Sequence, residues 1–211
     1  MLVDAENKKE GKPMGNTFAR WYDVFMSPLE KGRFRSVRKS LAKKADGLVL
    51  EIGSGTGINF PYYESAEQVI AIEPSRHMMN RSEERKRKSA VPIQVIQESA
   101  EQLPFADNTF DTVVATLVFC TIPHPERALR EIKRVCKPGG RILVFEHVRM
   151  ENPFLAKWQD WLTPYWKKVC DGCCLNRDTV HMMIESGLKV VSKQSLYKGL
   201  FVQMDVRNEG A

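Results

Sequence analysis

The sequence predicts an α/β protein whose open, mostly parallel sheet has helices on both faces. Three observations carry that expectation: short β-branched runs alternate with longer helical patterns from residue 48 to 147, a glycine cluster follows the first run, and two more strand patterns close the chain. Parallel neighbours need crossover connections, so the intervening helices must cover both faces and give three layers around seven strands.

The five central strands are read at 48–52, 69–72, 93–96, 112–116 and 141–146. Helical patterns lie near 60–65, 75–88 and 125–136. The last of these carries Ala128, Leu129, Ile132, Val135 and Cys136 at helical spacing, and Lys137-Pro138-Gly139-Gly140 reads as its stop. Before the core, 16–44 reads as a helix that starts with Phe18, Trp21, Tyr22 and Phe25. After it, 154–169 carries Trp158, Trp161, Leu162, Tyr165, Trp166 and Val169 as a helical stripe, which Pro164 should kink or divide. A helix near 179–186 stops at Gly187, and strands at 188–192 and 200–206 follow. The expected organisation is one domain over 1–211: an N-terminal helical cap at 1–47, a cofactor-binding core at 48–147, and acceptor-side helices and final strands at 148–211.

Length and composition bound the function. The 211 residues suit one compact domain, and 43% hydrophobic with 27% charged residues is the balance of a globular chain rather than a disordered one. The most apolar stretch, 113–123, is far shorter than the roughly 20 residues of a membrane-spanning helix. A charged N-terminus without a signal-peptide pattern and five unevenly spaced cysteines (120, 136, 170, 173, 174) lead to the expectation of a reducing cytoplasm. The net charge of +6 is local: residues 1–47 hold +5 and 76–88 hold +4, on a mildly acidic remainder. Such runs read as solvated faces, or as attraction to anionic headgroups or nucleic acid. A non-enzymatic nucleic-acid binder is the alternative of a different class, but no helix-turn-helix or finger pattern supports it, so no nucleic-acid partner is expected. Nothing in the chain implies an obligate protein partner.

Glu51-Ile52-Gly53-Ser54-Gly55-Thr56-Gly57 follows the first strand, where residues lacking a side chain let the backbone approach a ligand. Ile58 stands where the dinucleotide fingerprint has glycine, so nicotinamide binding is disfavoured, and no Gly-Lys-Ser/Thr phosphate loop is present. Glu73 ends the second strand, where a carboxylate can accept both hydroxyls of a ribose.

The runs LVLEIGSGTG, AIEPSRHMM and ESAEQLPFADNTFDTVVATLVFCTIPHPERALREIKRVCKPGGRILVFEH resemble class I S-adenosylmethionine-dependent methyltransferases, over about residues 16 to 207. The resemblance implies a Rossmann-like sheet whose last strand is antiparallel, and S-adenosyl-L-methionine as cofactor. It implies that Gly53, Ser54, Gly55 and Gly57 line the methionine portion. Glu73 would hold the ribose, with Pro74, Ser75 and Met78 on the adenine side and Ser99, Ala100 and Glu101 at the adenine edge. Thr116 and Leu117 would lie beside the methionine amine, and Tyr22 and Asn59 would complete the cofactor set. The family usually has Asp where this chain has Ser99, which costs a charge-assisted bond to the adenine amino group.

Within that class the chain is most similar to animal microsomal thiol S-methyltransferases and their bacterial relatives, through Asn59-Phe60-Pro61-Tyr62-Tyr63, Thr116 to Cys120, Glu146-His147-Val148 and Asp171-Gly172-Cys173 with Leu175 and Arg177. The resemblance implies a small-molecule acceptor, here an apolar thiol. Phosphatidylethanolamine-type lipid N-methylation and quinone C-methylation are the alternatives. His147, just past the fifth strand, is the expected catalytic base. Cys120, Trp158, Trp161 and Asp171 are expected at the acceptor pocket. The aromatic stripe can equally be core packing beneath a lid or a peripheral membrane contact. Three thiols among Cys170, Cys173 and Cys174 lack a fourth ligand and a separated second pair, so no metal is expected. His124, between two prolines, reads as a turn residue.

Overall fold

The computed structural model describes residues 32–170 and 172–210. Tyr22, Asp171 and residues 16–31 of the expected N-terminal helix lie outside that range. Seven strands form one sheet in the order β3-β2-β1-β4-β5-β7-β6. They are β1 (Gly47–Ile52), β2 (Ala66–Ile72), β3 (Ile93–Ile96), β4 (Phe110–Thr116), β5 (Cys136–His147), β6 (Lys189–Leu196) and β7 (Phe201–Arg207). The pairings from β3 through β5 are parallel, and β7 runs antiparallel to both β5 and β6. The order reverses between β1 and β4, and such a reversal opens a crevice at the carboxyl ends of the two strands.

Helices cover both faces. Phe34, Leu41 and Ala42 of α1 (Arg33–Lys44) pack with Val49, Val69, Val114 and Phe145 on one side. Ala128, Leu129, Ile132 and Val135 of α3 (Pro125–Val135) and Met183 of α5 (Thr179–Glu185) pack with Leu50, Val113 and Val144 on the other. Alternate residues of each strand serve opposite faces, as the pleat requires. Between β2 and β3 lies α2 (Arg76–Arg87), capped by Ser75, whose Oγ accepts from the Met78 N–H.

Several expectations are corrected. The helix expected near 60–65 is a single 3₁₀ turn, Phe60–Tyr62: Pro61 withholds a backbone donor and the Tyr63 hydroxyl is drawn to Glu51 at 2.8 Å. The helix ends at Val135, just ahead of the expected stop at 137–140, but that run also opens β5, which begins at Cys136 with an irregularity in its register against β4. The long helix α4 (Pro153–Val169) is continuous through Pro164.

The aromatic stripe does not form core. Phe154, Trp158, Trp161 and Tyr165 of α4 are more than half exposed, while the residues facing inward are Ala156, Gln159 and Thr163. Gln159 anchors that inner face: its amide donates to the carbonyls of Val148 and Leu175 and accepts from the Met150 N–H. Among the described residues no helix is long and apolar enough to cross a membrane.

Candidate active site

The glycine loop sits at the reversal. A side chain at Gly53 would place Cβ 2.2 Å from Val118 Cγ2, so the loop and the turn after β4 touch only because residue 53 has no side chain. Gly55 differs: its φ is +56° and nothing lies within 4 Å of where Cβ would be, so its backbone faces open space. The Gly55 N–H donates to Glu73 Oε2 at 2.9 Å and the Ser75 N–H to Oε1 at 2.8 Å, which ties the carboxylate at the end of β2 to the loop. Ser54 Oγ is buried with no hydrogen-bond partner among the described residues. An open glycine, a buried hydroxyl without a partner and an acidic strand end together fit a nucleoside with an amino-acid arm.

Beneath the loop is a polar network that sequence reasoning did not anticipate. Buried Arg38 of α1 donates to Asn59 Oδ1 at 3.0 Å and to Thr116 Oγ1 at 2.7 Å. The Asn59 amide donates to Glu51 Oε1 and Thr116 Oγ1, both at 2.9 Å. Burial pushes the Glu51 carboxyl up to about 7, against the hydrogen bonds of Tyr63 and Asn59 and the charge of Arg38. The side chains of Asn59 and Thr116, expected at the cofactor, hold the ends of β1 and β4 together. Leu117 takes a φ of +55° with its N–H bonded to Phe145 O, a constrained turn at the carboxyl edge of the sheet.

The other expected cofactor residues line up around the end of β2 and the segment after β3. Met78 and Ala100 are buried, while Pro74 and Ser99 are exposed. Ser99 Oγ accepts from the Glu101 N–H, and Glu101 Oε1 accepts from the His124 N–H.

A second polar cluster is built at the end of β5. Glu146 is fully buried; its Oε1 accepts from the Val118 and Phe119 N–H groups at 2.7 and 3.0 Å, and Oε2 has no partner among the described residues. Burial raises its carboxyl to about 7 against those bonds. Next to it, His147 Nε2 lies 3.2 Å from Cys173 Sγ. Cys120 Sγ completes a cluster with these two atoms, all within 4.8 Å of one another. The neighbouring Cys120 thiol, then His147, outweigh burial and bring Cys173 down to about 5, whereas Cys120 is pushed well up by the neighbouring Cys173 and by burial. Burial lowers His147, but the hydrogen bond and charge of Cys173 raise it overall.

Arg177 fastens this corner, donating to the carbonyls of Phe119 and Ile122 and to Cys174 Sγ. Trp158 and Trp161, expected at the acceptor pocket, are more than half exposed on α4. Their helical spacing marked a face without saying which way it turns.

A Rossmann-like sheet with a glycine loop at its switch point and an acidic second-strand end fits a nucleoside cofactor, and the comparisons give the reaction class. A methyltransferase-domain family model matches residues 50–144. The thiol S-methyltransferase TMT1B of Rattus norvegicus is 33% identical over 172 residues, covering 79% of this chain and 69% of the relative. A phosphatidylethanolamine N-methyltransferase of Cereibacter sphaeroides is 31% identical over 147 residues, covering 68% and 72%. The solved structure of a putative methyltransferase from Bacillus halodurans superposes with a TM-score of 0.70 over 82% of this chain and 99% of that one, at 15% identity. The chain belongs to the class I S-adenosyl-L-methionine-dependent methyltransferases, and S-adenosyl-L-methionine is its cofactor.

Proposed function

We propose that the methyl acceptor is a small apolar thiol and that Gly53, Ser54, Gly55 and Glu73 hold the cofactor. The observation that supports this reading best is His147, an imidazole held toward its cationic form and set among Cys120 and Cys173 at the same sheet edge as the glycine loop. The names of the thiol S-methyltransferase relatives point the same way. The cofactor supplies an electrophilic methyl group on a sulfonium. The protein's own task is to position the acceptor, exclude water and favour its anion. An alkyl thiol with a pKa of roughly 8.5 needs only a modest positive field to ionise near neutral pH. Cys173, brought down to about 5, pairs its thiolate with the imidazolium, so His147 turns its charge or a ring nitrogen toward the acceptor only where Cys173 gives way. Incubation with methyl-labelled cofactor and a panel of thiols, amines and phenols tests the reading: label should appear on sulfur.

The outward aromatic face of α4, with the lipid N-methyltransferase relative, favours a second reading in which the acceptor is a lipid amine at a membrane surface. Methylation that requires phosphatidylethanolamine vesicles would support it, and thiol methylation independent of vesicles would exclude it.

A further inference from the structure

We propose that Cys120, Cys173 and His147 form a binding site for a soft metal ion of the zinc class, with a fourth position open to the acceptor thiol. The three residues come from separate segments: the turn after β4, the end of β5, and the stretch after α4. Their ligand atoms all lie within 4.8 Å of one another. Zinc–sulfur bonds of about 2.3 Å and zinc–nitrogen bonds of about 2.0 Å require ligand atoms roughly 3.5–3.8 Å apart in a tetrahedron, so side-chain adjustments of well under an ångström to about one ångström complete the set. Three protein ligands with one open position is the arrangement of zinc sites that do chemistry, whereas a purely structural site closes all four.

Charge and position agree with this assignment. Two thiolates and a divalent ion sum to zero, which suits ligands as buried as Cys120 and Cys173, at 3% and 9% exposure. The remaining nearby thiols are unsuited. Cys174 Sγ faces the Arg177 guanidinium at 3.3 Å, and Cys170 is outside the cluster. The sequence expectation of no metal considered only the Cys170–Cys174 run; the fold takes one thiol from that run and adds a thiol and an imidazole from elsewhere.

A thiol entering the fourth position forms a sulfur–metal bond and releases its proton to solvent, so the metal holds the acceptor as its anion with no change of oxidation state. His147 then serves as a ligand, and the ion supplies the positive field. This inference rests on the thiol reading for the identity of its fourth ligand, and the experiment separates the two.

The test is cobalt(II) titration of the full chain, freed of metal by a chelator and kept reduced with a phosphine. The expected result is one ion per chain, with thiolate-to-cobalt charge-transfer bands and the visible bands of tetrahedral cobalt, and a spectral shift with release of one proton on adding an alkyl thiol. Cys120→Ser and Cys173→Ser should each weaken binding beyond the roughly 10–100-fold that loss of an outer hydrogen-bond partner costs, while Cys170→Ser leaves the spectrum unchanged. Circular dichroism of each variant verifies folding, and either Cys variant suffices if the other unfolds. Absence of the bands, bands indifferent to both Cys variants, or bands unmoved by thiol would overturn the proposal. If thiols are methylated by metal-free protein that shows no bands, the site falls and the thiol reading stands. If the bands form and shift with thiol while no thiol is methylated, the acceptor reading falls and the site stands.

Discussion

His147 Nε2 lies 3.2 Å from Cys173 Sγ, joining the end of β5 to a segment 26 residues further along the chain. The pair stands beside the turn that carries Leu117 and Val118, and Val118 in turn touches the glycine loop at Gly53. The corners proposed for acceptor and cofactor are thereby coupled through one turn.

His147→Ala should lower turnover with an alkyl thiol most at low pH, by about 10²-fold near pH 6, with the loss shrinking as pH approaches the thiol's own pKa. Free thiolate is scarce at low pH, so that is where help with ionisation matters. A kcat/KM profile from pH 6 to 9 measures it. An equal loss at every pH would assign His147 a purely positioning role.

The two loop glycines should separate. Gly55→Val keeps the fold, since its Cβ meets nothing, and costs about 1–2 kcal/mol for a left-handed non-glycine residue; calorimetry should find cofactor binding abolished. Gly53→Ala drives Cβ into Val118 and should lower the melting temperature far more. Unchanged cofactor affinity in Gly55→Val would mean that the loop does not face the cofactor.

Ser99→Asp should tighten cofactor binding by roughly 5–10-fold, because a carboxylate accepts the adenine amino group with a charge-assisted bond where the hydroxyl makes a neutral one. The new side chain can still accept from the Glu101 N–H, as Ser99 does. Isothermal calorimetry on both proteins reads the difference, and weaker binding would place the adenine elsewhere.

Glu51 gives stability a pH slope. Its folded pKa, near 7, is above the ordinary value of 4.5, so the folded state holds a proton that the unfolded chain releases. That contribution is complete below pH 4.5 and is lost as pH rises through 7, an effect of up to about 3 kcal/mol. Glu146, with the same shift, adds a slope of the same sign. Glu51→Gln should flatten the fall in stability between pH 5 and 7.5, measured by urea unfolding; an unaltered slope would show that Glu51 is already ionised in the native state.

Much of the fold was legible because the parallel strands are buried on both faces and read as largely apolar runs, as at Leu48 to Ile52 and Thr112 to Thr116. The loop from Gly53 to Gly57 and the acidic Glu73 were legible for the same local reason: a turn and a strand end have short-range signatures. What escaped depends on contacts distant in sequence. Arg38 meets Thr116 across 78 positions, and Cys120, His147 and Cys173 converge only once β4, β5 and the segment after α4 are in place. The stripe from Trp158 to Trp166 shows the other limit: periodicity defined the face, but the buried hydrogen bonds of Gln159 decide which face is inside.

The identity of the acceptor is decided most directly by a competition among the three acceptor classes. The protein is incubated with S-adenosyl-L-methionine labelled at the methyl group and a mixture of an alkyl thiol, phosphatidylethanolamine vesicles and a hydroquinone, and the products are identified by mass. Label in a thioether is the predicted result; label on nitrogen or ring carbon, with none on sulfur, would contradict it.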